Sequence, residues 1–437
     1  MTKYCIYIYK RGDKKGKVCN EICKNEKIFC KKHDILHENS DDKKKGDRKN
    51  IPIIHLNKFI NKKVQEDAIK EKIFSIPTND QNKSVIYKHY NNMKRTDSTS
   101  TEYYKNQLFV DLALSYPWDK QYNIHDIIHD KGIPTFLEMI KKELDKNIHG
   151  MDSVKNEILN VVCKFITNPT SNRNNIALYG PAGVGKSKFI KVLADILGLS
   201  IKTISLGGIK DSSFFLGHGY VYVESGPGKI LQNVIDSKIS NPIMYFDELD
   251  KVSETDNGKD IFSFLCYLTD PTQNKSFSDH YFYGMTFDLS RVFYVFTFND
   301  IDKIDKILLD RLNIIKIQSP SDEDTVKIIE NHCIPEIVSN IGIQQEIIFE
   351  KENINFIINY CKDSINKMIT SGVREYYRIF EKILLELNKD ILLNFNKFAT
   401  TTSILITQSM FTLLFNNIKH QINHTSSSNS YINHMYI

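Results

Sequence analysis

"IALYGPAGVGKSKFI", Ile176–Ile190, is the stretch that decides the fold. It reads as an apolar strand, a glycine-rich turn and a helix. Gly180, Gly185, Lys186 and Ser187 fit the spacing G-x-x-x-x-G-K-[ST]. A loop of this kind turns its backbone N–H groups inward, so Gly180, Pro181, Ala182, Gly183, Val184 and Gly185 form a cradle for phosphates. In this pattern Lys186 reaches the β- and γ-phosphates, and the Ser187 hydroxyl is a ligand for Mg2+. The helix that follows places the positive end of its dipole at the anion. ATP and Mg2+ are the cofactors this implies.

Outward from the loop, "IKTISL", "PIMYFDE" and "RVFYVFTFN" are further strands that alternate with helical segments, from Asn175 to about Gln318. That alternation predicts an α/β P-loop domain of three layers around a mostly parallel sheet. "PIMYFDE" ends in Asp247 and Glu248. Packing has no use for two carboxylates at the tip of a buried strand, whereas a nucleotide site does. Asp247 holds the Mg2+ through water, and Glu248 orients or deprotonates the attacking water. "YVFTFND" ends its strand with Asn299, placed to position the same water; a plain turn asparagine is the alternative. Before the loop, Pro134–Leu144 and Asp152–Phe165 carry apolar residues at helical spacing. After Ser321 the strands stop, and Glu323–Leu387 reads as helices only.

These motifs sit in a longer run that resembles the ATPase part of the Lon-type ATP-dependent proteases, a branch of the AAA+ ATPases. The likeness extends from roughly Ile86 to Phe415. "STEYYKNQLFVDLALSYPWD", "LDKNIHGMDSVK", "SLGGIKD", "GPGKI", "FDELDK", "DPTQNKSFSDHY", "FDLSRVFYVFTFND", "LLDR" and "SGVREYYR" fall in the family's order. The resemblance implies an AAA+ large domain followed by an all-α lid. It makes Arg311, in "LLDR", the arginine finger that reaches a neighbouring subunit's γ-phosphate, and Arg374, in "GVRE", the lid arginine that senses the nucleotide. Arginine suits both places, because transition-state charge on a phosphoryl group calls for mobile, water-excluding cations; an ordinary arginine at a helix C-terminus is the alternative for Arg311, and a salt-bridged surface arginine for Arg374. A finger acting in trans implies a homo-oligomer, in this family a hexamer, that acts on protein substrates.

The likeness also gives a reading of "GYVYVESGPGK", Gly219–Lys229: Tyr222 and Val223 align with the aromatic–aliphatic pair that grips substrate in the ring's channel. A flat aromatic wedge packs on any extended peptide without reading its sequence. Gly219 and Tyr220 stand where the family has basic residues, and Glu224 replaces a small one, which leaves substrate preference open. A hairpin packed on its own domain is the alternative. The family's peptidase domain, with its Ser–Lys dyad, should follow the lid. About fifty residues follow Lys389, with only Lys397 and Lys419 as lysines and no glycine-flanked serine. ATPase activity without peptidase activity is the expectation, and the sequence leaves open a separate protease acting in trans, or nucleic acid, as a further partner.

The formal charge of +5 is too mild to imply a nucleic-acid or membrane partner for the whole chain. Residues 1–50 hold fifteen Lys/Arg against eight Asp/Glu, a net +7, so the remainder sums to −2. No apolar run reaches the ~18 residues that span a bilayer. The N-terminus has no secretory pattern, so the expected location is cytoplasmic, or host cytoplasm or virion if the source is a large DNA virus. Cys5, Cys19, Cys23, Cys30 and His33 cluster in the basic start. Reduced thiols and Cys30-x-x-His33 suit tetrahedral Zn2+. Cys5, Cys19, Cys30 and His33 are the first ligand set, with Cys23 the alternative, and a disordered basic tail is the competing reading. The stretch loosely resembles Cys/His modules with a "KRG..KG" pattern in proteins of large DNA viruses. Cys163, Cys266, Cys333 and Cys361 read as core residues.

The expected organisation is a Cys/His zinc-binding module at 1–33 and a linker with an irregular or helical segment at 34–107. The large α/β ATPase domain follows at 108–320, the helical lid at 321–415 and a disordered tail at 416–437. The alternatives to protein remodelling are a nucleic-acid-associated ATPase tethered by the basic module and a nucleotide-gated scaffold with weak turnover.

Overall fold

The computed structural model describes residues 68–419 except 130–131, 169–170, 172–174, 220–224, 253–254, 366–371 and 395–400. The chain divides into Met1–Ile69 and Lys70–Ile437, and the described residues lie almost entirely in the second unit. The Cys/His cluster at Cys5, Cys19, Cys23, Cys30 and His33 lies outside the described residues, as does the Tyr222–Val223 pair.

After a helical run at residues 68–75, helices α1 (Asp80–Arg95), α2 (Thr101–Ser115), α3 (Ile124–Ile128), α4 (Ile133–Asn147) and α5 (Asp152–Thr167) precede strand β1 (Asn175–Tyr179). Next come α6 (Lys186–Leu197), β2 (Ile201–Ser205), α7 (Ser213–Leu216), α8 (Lys229–Ser237), β3 (Ile243–Asp247) and α9 (Asp256–Thr269). Then follow β4 (Phe293–Phe298), α10 (Lys306–Leu309) and β5 (Asn313–Lys316). Then come α11 (Asp322–Ile328), α12 (Ile334–Ile341), β6 (Glu346–Phe349), α13 (Lys351–Ile365), α14 (Val373–Leu393) and β7 (Ser403–Ile406), and residues 408–419 are helical.

The main sheet is parallel throughout, in the order β2-β3-β4-β1-β5. The four strands read from the sequence are all present. The fifth, "NIIK" of β5, escapes a sequence reading because four residues are too few to show a period. Every residue of β4 is buried, as a central strand covered on both faces requires. One face packs on α4, α5 and α6 through Phe136, Ile140, Leu144, Val154, Ile158, Phe189 and Leu193. Elsewhere the core is aromatic, with Phe246 stacked on Phe296 at 4.9 Å and Phe215 on Phe264 at 4.8 Å.

Among its described residues, the irregular or helical segment expected up to residue 107 contains the helical run at 68–75, α1 and the start of α2. α1 is tied down by Asn82, which is fully buried. Its Nδ2 donates to the Thr286 carbonyl (2.8 Å) and its Oδ1 accepts from the Thr286 amide (2.9 Å). That bond joins residues 204 apart in sequence, so local pattern carries no trace of it.

A second core, made by α12, α13, α14 and the chain after them, joins Ile337, Ile357, Phe380, Ile383, Leu387 and Phe411. It is the expected helical lid with one correction: β6 and β7 form a parallel pair, Glu346 opposite Ser403 to Phe349 opposite Ile406. Neither four-residue strand declares itself alone, since each is made by the partner that pairs with it. Cys333 and Cys361 are buried as expected, but Cys163 and Cys266 are only half-buried. No described helix is long and apolar enough to cross a membrane.

Candidate functional site

The carboxyl ends of β1, β3 and β4 lie side by side, where ligands of open α/β sheets bind. The turn after β1 leads directly into α6, whose first residue is Lys186. A cleft of about 750 Å³ opens there, between the sheet and the lid. Its walls include Ala182, Gly183, Val184 and Gly185 from the loop, Lys186 and Ser187 from the first turn of α6, Asp247 at the end of β3 and Glu248 just after it, Asn299 after β4, and Arg374 from the lid.

Lys186 is buried, and its Nζ donates to the carbonyls of Gly180 (2.7 Å) and Pro181 (2.8 Å) and to Asn299 Oδ1 (2.7 Å). Burial lowers its pKa, while the nearby carboxylates of Asp250 and Asp247 raise it. Asn299 Nδ2 faces Asp250 Oδ2 at 3.4 Å. Sequence reasoning missed Asp250, which is buried beneath the cleft. The position was legible as the second aspartate of "FDELDK", but its burial was not.

Glu248 follows β3 with φ of +58°, a left-handed conformation that is uncommon for a residue with a side chain. The turn brings its carboxylate beside Gly207, where an added Cβ would lie 2.8 Å from Glu248 Oε2. Asp247 Oδ1 accepts from the Glu248 amide (3.0 Å) and from the Thr297 hydroxyl. The donors facing the cleft, Ser187 and Asp247, are hard oxygens of the kind Mg2+ takes. They fit a Mg–nucleotide complex.

The lid touches the phosphate loop itself. Val373 N donates to the Gly183 carbonyl at 3.1 Å. Gly183 has φ of +76°, and a Cβ there would sit 2.8 Å from Gly372 Cα, so two glycines are needed for this approach. Gly372 caps α14, so the positive end of a 21-residue helix meets the loop, with Arg374 exposed in its first turn. Two more contacts join the two sides: a hydrogen bond between His149 Nε2 and Asp324 Oδ1 at 3.0 Å, and an ion pair of Lys188 Nζ with Glu336 Oε2 at 3.7 Å.

Ile148, His149, Met151, Ile328, His332 and Tyr377 also line the cleft, and none was singled out from sequence. Burial lowers the His332 pKa, which favours a neutral ring. Burial likewise pushes the Cys333 thiol up to about 11, so it is an inert wall.

Arg311 does not line this cleft. Its guanidinium donates to Asp270 Oδ2 at 2.6 Å and holds that carboxyl well below the usual carboxylate range. Its carbonyl accepts from Asn175 Nδ2 (3.3 Å), at the start of β1. The phosphate loop begins at the other end of that strand, about 13 Å away at 3.3 Å per residue. Among the described residues no group of three or more His, Cys, Asp or Glu forms a metal cluster.

Residues 176–319 match the family described as "ATPase family associated with various cellular activities (AAA)". The chain is 33% identical over 336 residues to the Lon protease homolog of Acanthamoeba polyphaga mimivirus, covering 75% of this chain and 32% of that protein. It is 30% identical over 330 residues to Lon protease 1 of Borreliella burgdorferi, covering 75% of this chain and 39% of the relative. With the Lon protease of Mycoplasma genitalium it shares 30% identity over 341 residues, covering 77% and 41%. The chain thus spans well under half the length of these relatives.

Proposed function

We propose that this chain, an AAA ATPase related to the AAA modules of Lon proteases, converts ATP hydrolysis into the unfolding or remodelling of protein chains. The observation that carries the reading is the convergence of Lys186, Ser187, Asp247, Glu248, Asn299 and Arg374 on one cleft roofed by the lid. In this reading the loop amides of residues 182–185 and Lys186 bind the phosphates, and Ser187 and Asp247 hold Mg2+. The bound ion neutralises charge on the β- and γ-phosphates. Glu248 activates water, with Asn299 orienting it once Lys186 turns to the phosphates. Arg374 reads the nucleotide from the lid.

Arg311 serves the neighbouring site in an oligomer, a hexamer by analogy with the family. The strand-length separation between its backbone and its own phosphate loop supports action in trans. Asp270 then keeps the guanidinium at the protomer surface. Tyr222 and Val223 are the substrate grip, and the reading assigns no peptidase chemistry to residues 1–437. Zn2+ at Cys5, Cys19, Cys30 and His33, with Cys23 as alternative, remains a proposal for the N-terminal segment.

The test pairs ATP turnover with ATP-driven unfolding of a loosely folded reporter protein. The wild-type chain should do both. Glu248→Gln should bind ATP, hydrolyse hardly any and leave the reporter folded. Wild-type turnover by Glu248→Gln would refute the site, and turnover without any effect on the reporter would refute the remodelling role.

A further inference from the structure

We propose that Tyr245 is a positioning residue for the metal: it closes a one-way hydrogen-bond chain that turns the Ser187 hydroxyl into a pure acceptor toward the cleft. The inference rests on the nucleotide-site reading above and deepens it.

Tyr245 sits on β3 two residues before Asp247, and Thr297 sits on the neighbouring β4; they are 2% and 1% exposed. The phenol oxygen lies 2.8 Å from Ser187 Oγ and 3.2 Å from Thr297 Oγ1. Thr297 Oγ1 in turn donates to Asp247 Oδ1. Four side chains from three elements thus form one line, with a cleft-lining oxygen at each end.

The direction of every bond follows from the last one. A carboxylate can only accept, so the single proton of Thr297 goes to Asp247. Thr297 has none left for Tyr245, so the phenol donates to Thr297. A phenol carries a single O–H proton, and that bond uses it. Tyr245 then has no proton for Ser187, and the serine hydroxyl donates to the phenol. Ser187 is left with only lone pairs to present to the cleft, as a cation ligand requires. Without the phenol the serine proton is free to rotate into the cleft and oppose the cation. The chain also couples the two oxygens that face the metal, so that one does not reorient without the other.

A phenol that merely fills space on β3 would contribute to stability and nothing else, and the experiment separates the two roles. Wild type, Tyr245→Phe, Thr297→Val and Ser187→Ala are saturated with ADP and titrated with Mn2+, the free ion being followed by its electron paramagnetic resonance. ADP affinity in EDTA and the melting temperature are measured alongside. Tyr245→Phe and Thr297→Val should each weaken Mn2+ binding about tenfold, equivalent to about 1.4 kcal/mol at 25 °C. Their ADP affinity in EDTA should stay within about twofold of wild type, since neither residue lines the cleft as the loop does. Unchanged Mn2+ affinity in Tyr245→Phe, with ADP still bound, overturns the inference and leaves the site reading standing. Equal weakening of ADP with and without metal also overturns it, since that marks a structural role. If Ser187→Ala binds Mn2+ as wild type does, or if wild type binds neither ADP nor Mn2+, the nucleotide-site reading itself falls.

Discussion

Replacing Gly372 by alanine tests whether the lid must lie against the phosphate loop for hydrolysis. An alanine Cβ at this position would lie 2.4 Å from the Ala182 carbonyl oxygen and 2.5 Å from Gly183 Cα, against the 3.4 Å at which ordinary contact begins. All the clashing atoms are backbone, so no rotamer relieves them, and the helix start must retreat by roughly 1 Å. The Val373 amide bond to Gly183, now 3.1 Å, then stretches to about 4 Å and is lost. The overlap costs about 1–3 kcal/mol if the contact is kept. Opening the lid instead forfeits about 1 kcal/mol of hydrogen bond, so opening wins. Arg374 rides on the same turn and moves with it. A displacement of about 1 Å at a group that acts on developing charge costs up to about a hundredfold in rate. Gly372→Ala should therefore lower kcat about ten- to a hundredfold. Its melting temperature should change little, because the loop and lid cores stay intact. Gly183→Ala meets the same wall from the other side, 2.8 Å from Gly372 Cα, and should fail in the same way. Steady-state ATPase with nucleotide titration and calorimetry reads all of this. A Gly372→Ala protein with wild-type kcat and KM would refute the claim that lid and loop work in contact.

Three further outcomes are expected. Lys186→Ala should lose ATP affinity by at least tenfold in direct binding, because the removed ammonium is both charged and directed at the phosphates; retained affinity would sink its assignment. Arg311→Ala should keep ATP affinity within a few-fold and lose most turnover, and mixing it with Lys186→Ala subunits should restore part of it. A fully active monomeric Arg311→Ala would contradict action in trans. Asp279 accepts from the amides of Gly228, Tyr281 and Phe282, yet burial outweighs these bonds and raises its pKa from 3.8 to about 6. A raised folded-state value means stability that is full below about pH 3.8 and lost as pH rises through about 6, at most about 3 kcal/mol. Denaturant unfolding of wild type relative to Asp279→Asn should show that loss between pH 4 and 7, and a flat difference would exclude it.

Much of the site was legible because its chemistry is local. The stretch from Gly180 to Ser187 is one uninterrupted turn running into the first residues of a helix, and its spacing is the signal. Asp247 and Glu248 declared themselves because a buried apolar strand does not otherwise end in two acids. The four longest strands of the sheet carried enough β-branched and aromatic residues to be seen one at a time. The tertiary structure alone decided which ends meet. Placing β4 between β3 and β1 brings Asn299 onto Lys186 across 113 residues and Thr297 onto Asp247 across 50, pairings that no window of sequence contains. β5, β6 and β7 exist as strands only because a partner supplies their hydrogen bonds, and four residues alone have no pattern to show. The descent of the lid onto the loop is likewise a property of packing. Two glycines 189 positions apart touch because two separate hydrophobic cores dock there and only a residue without a Cβ fits between their backbones.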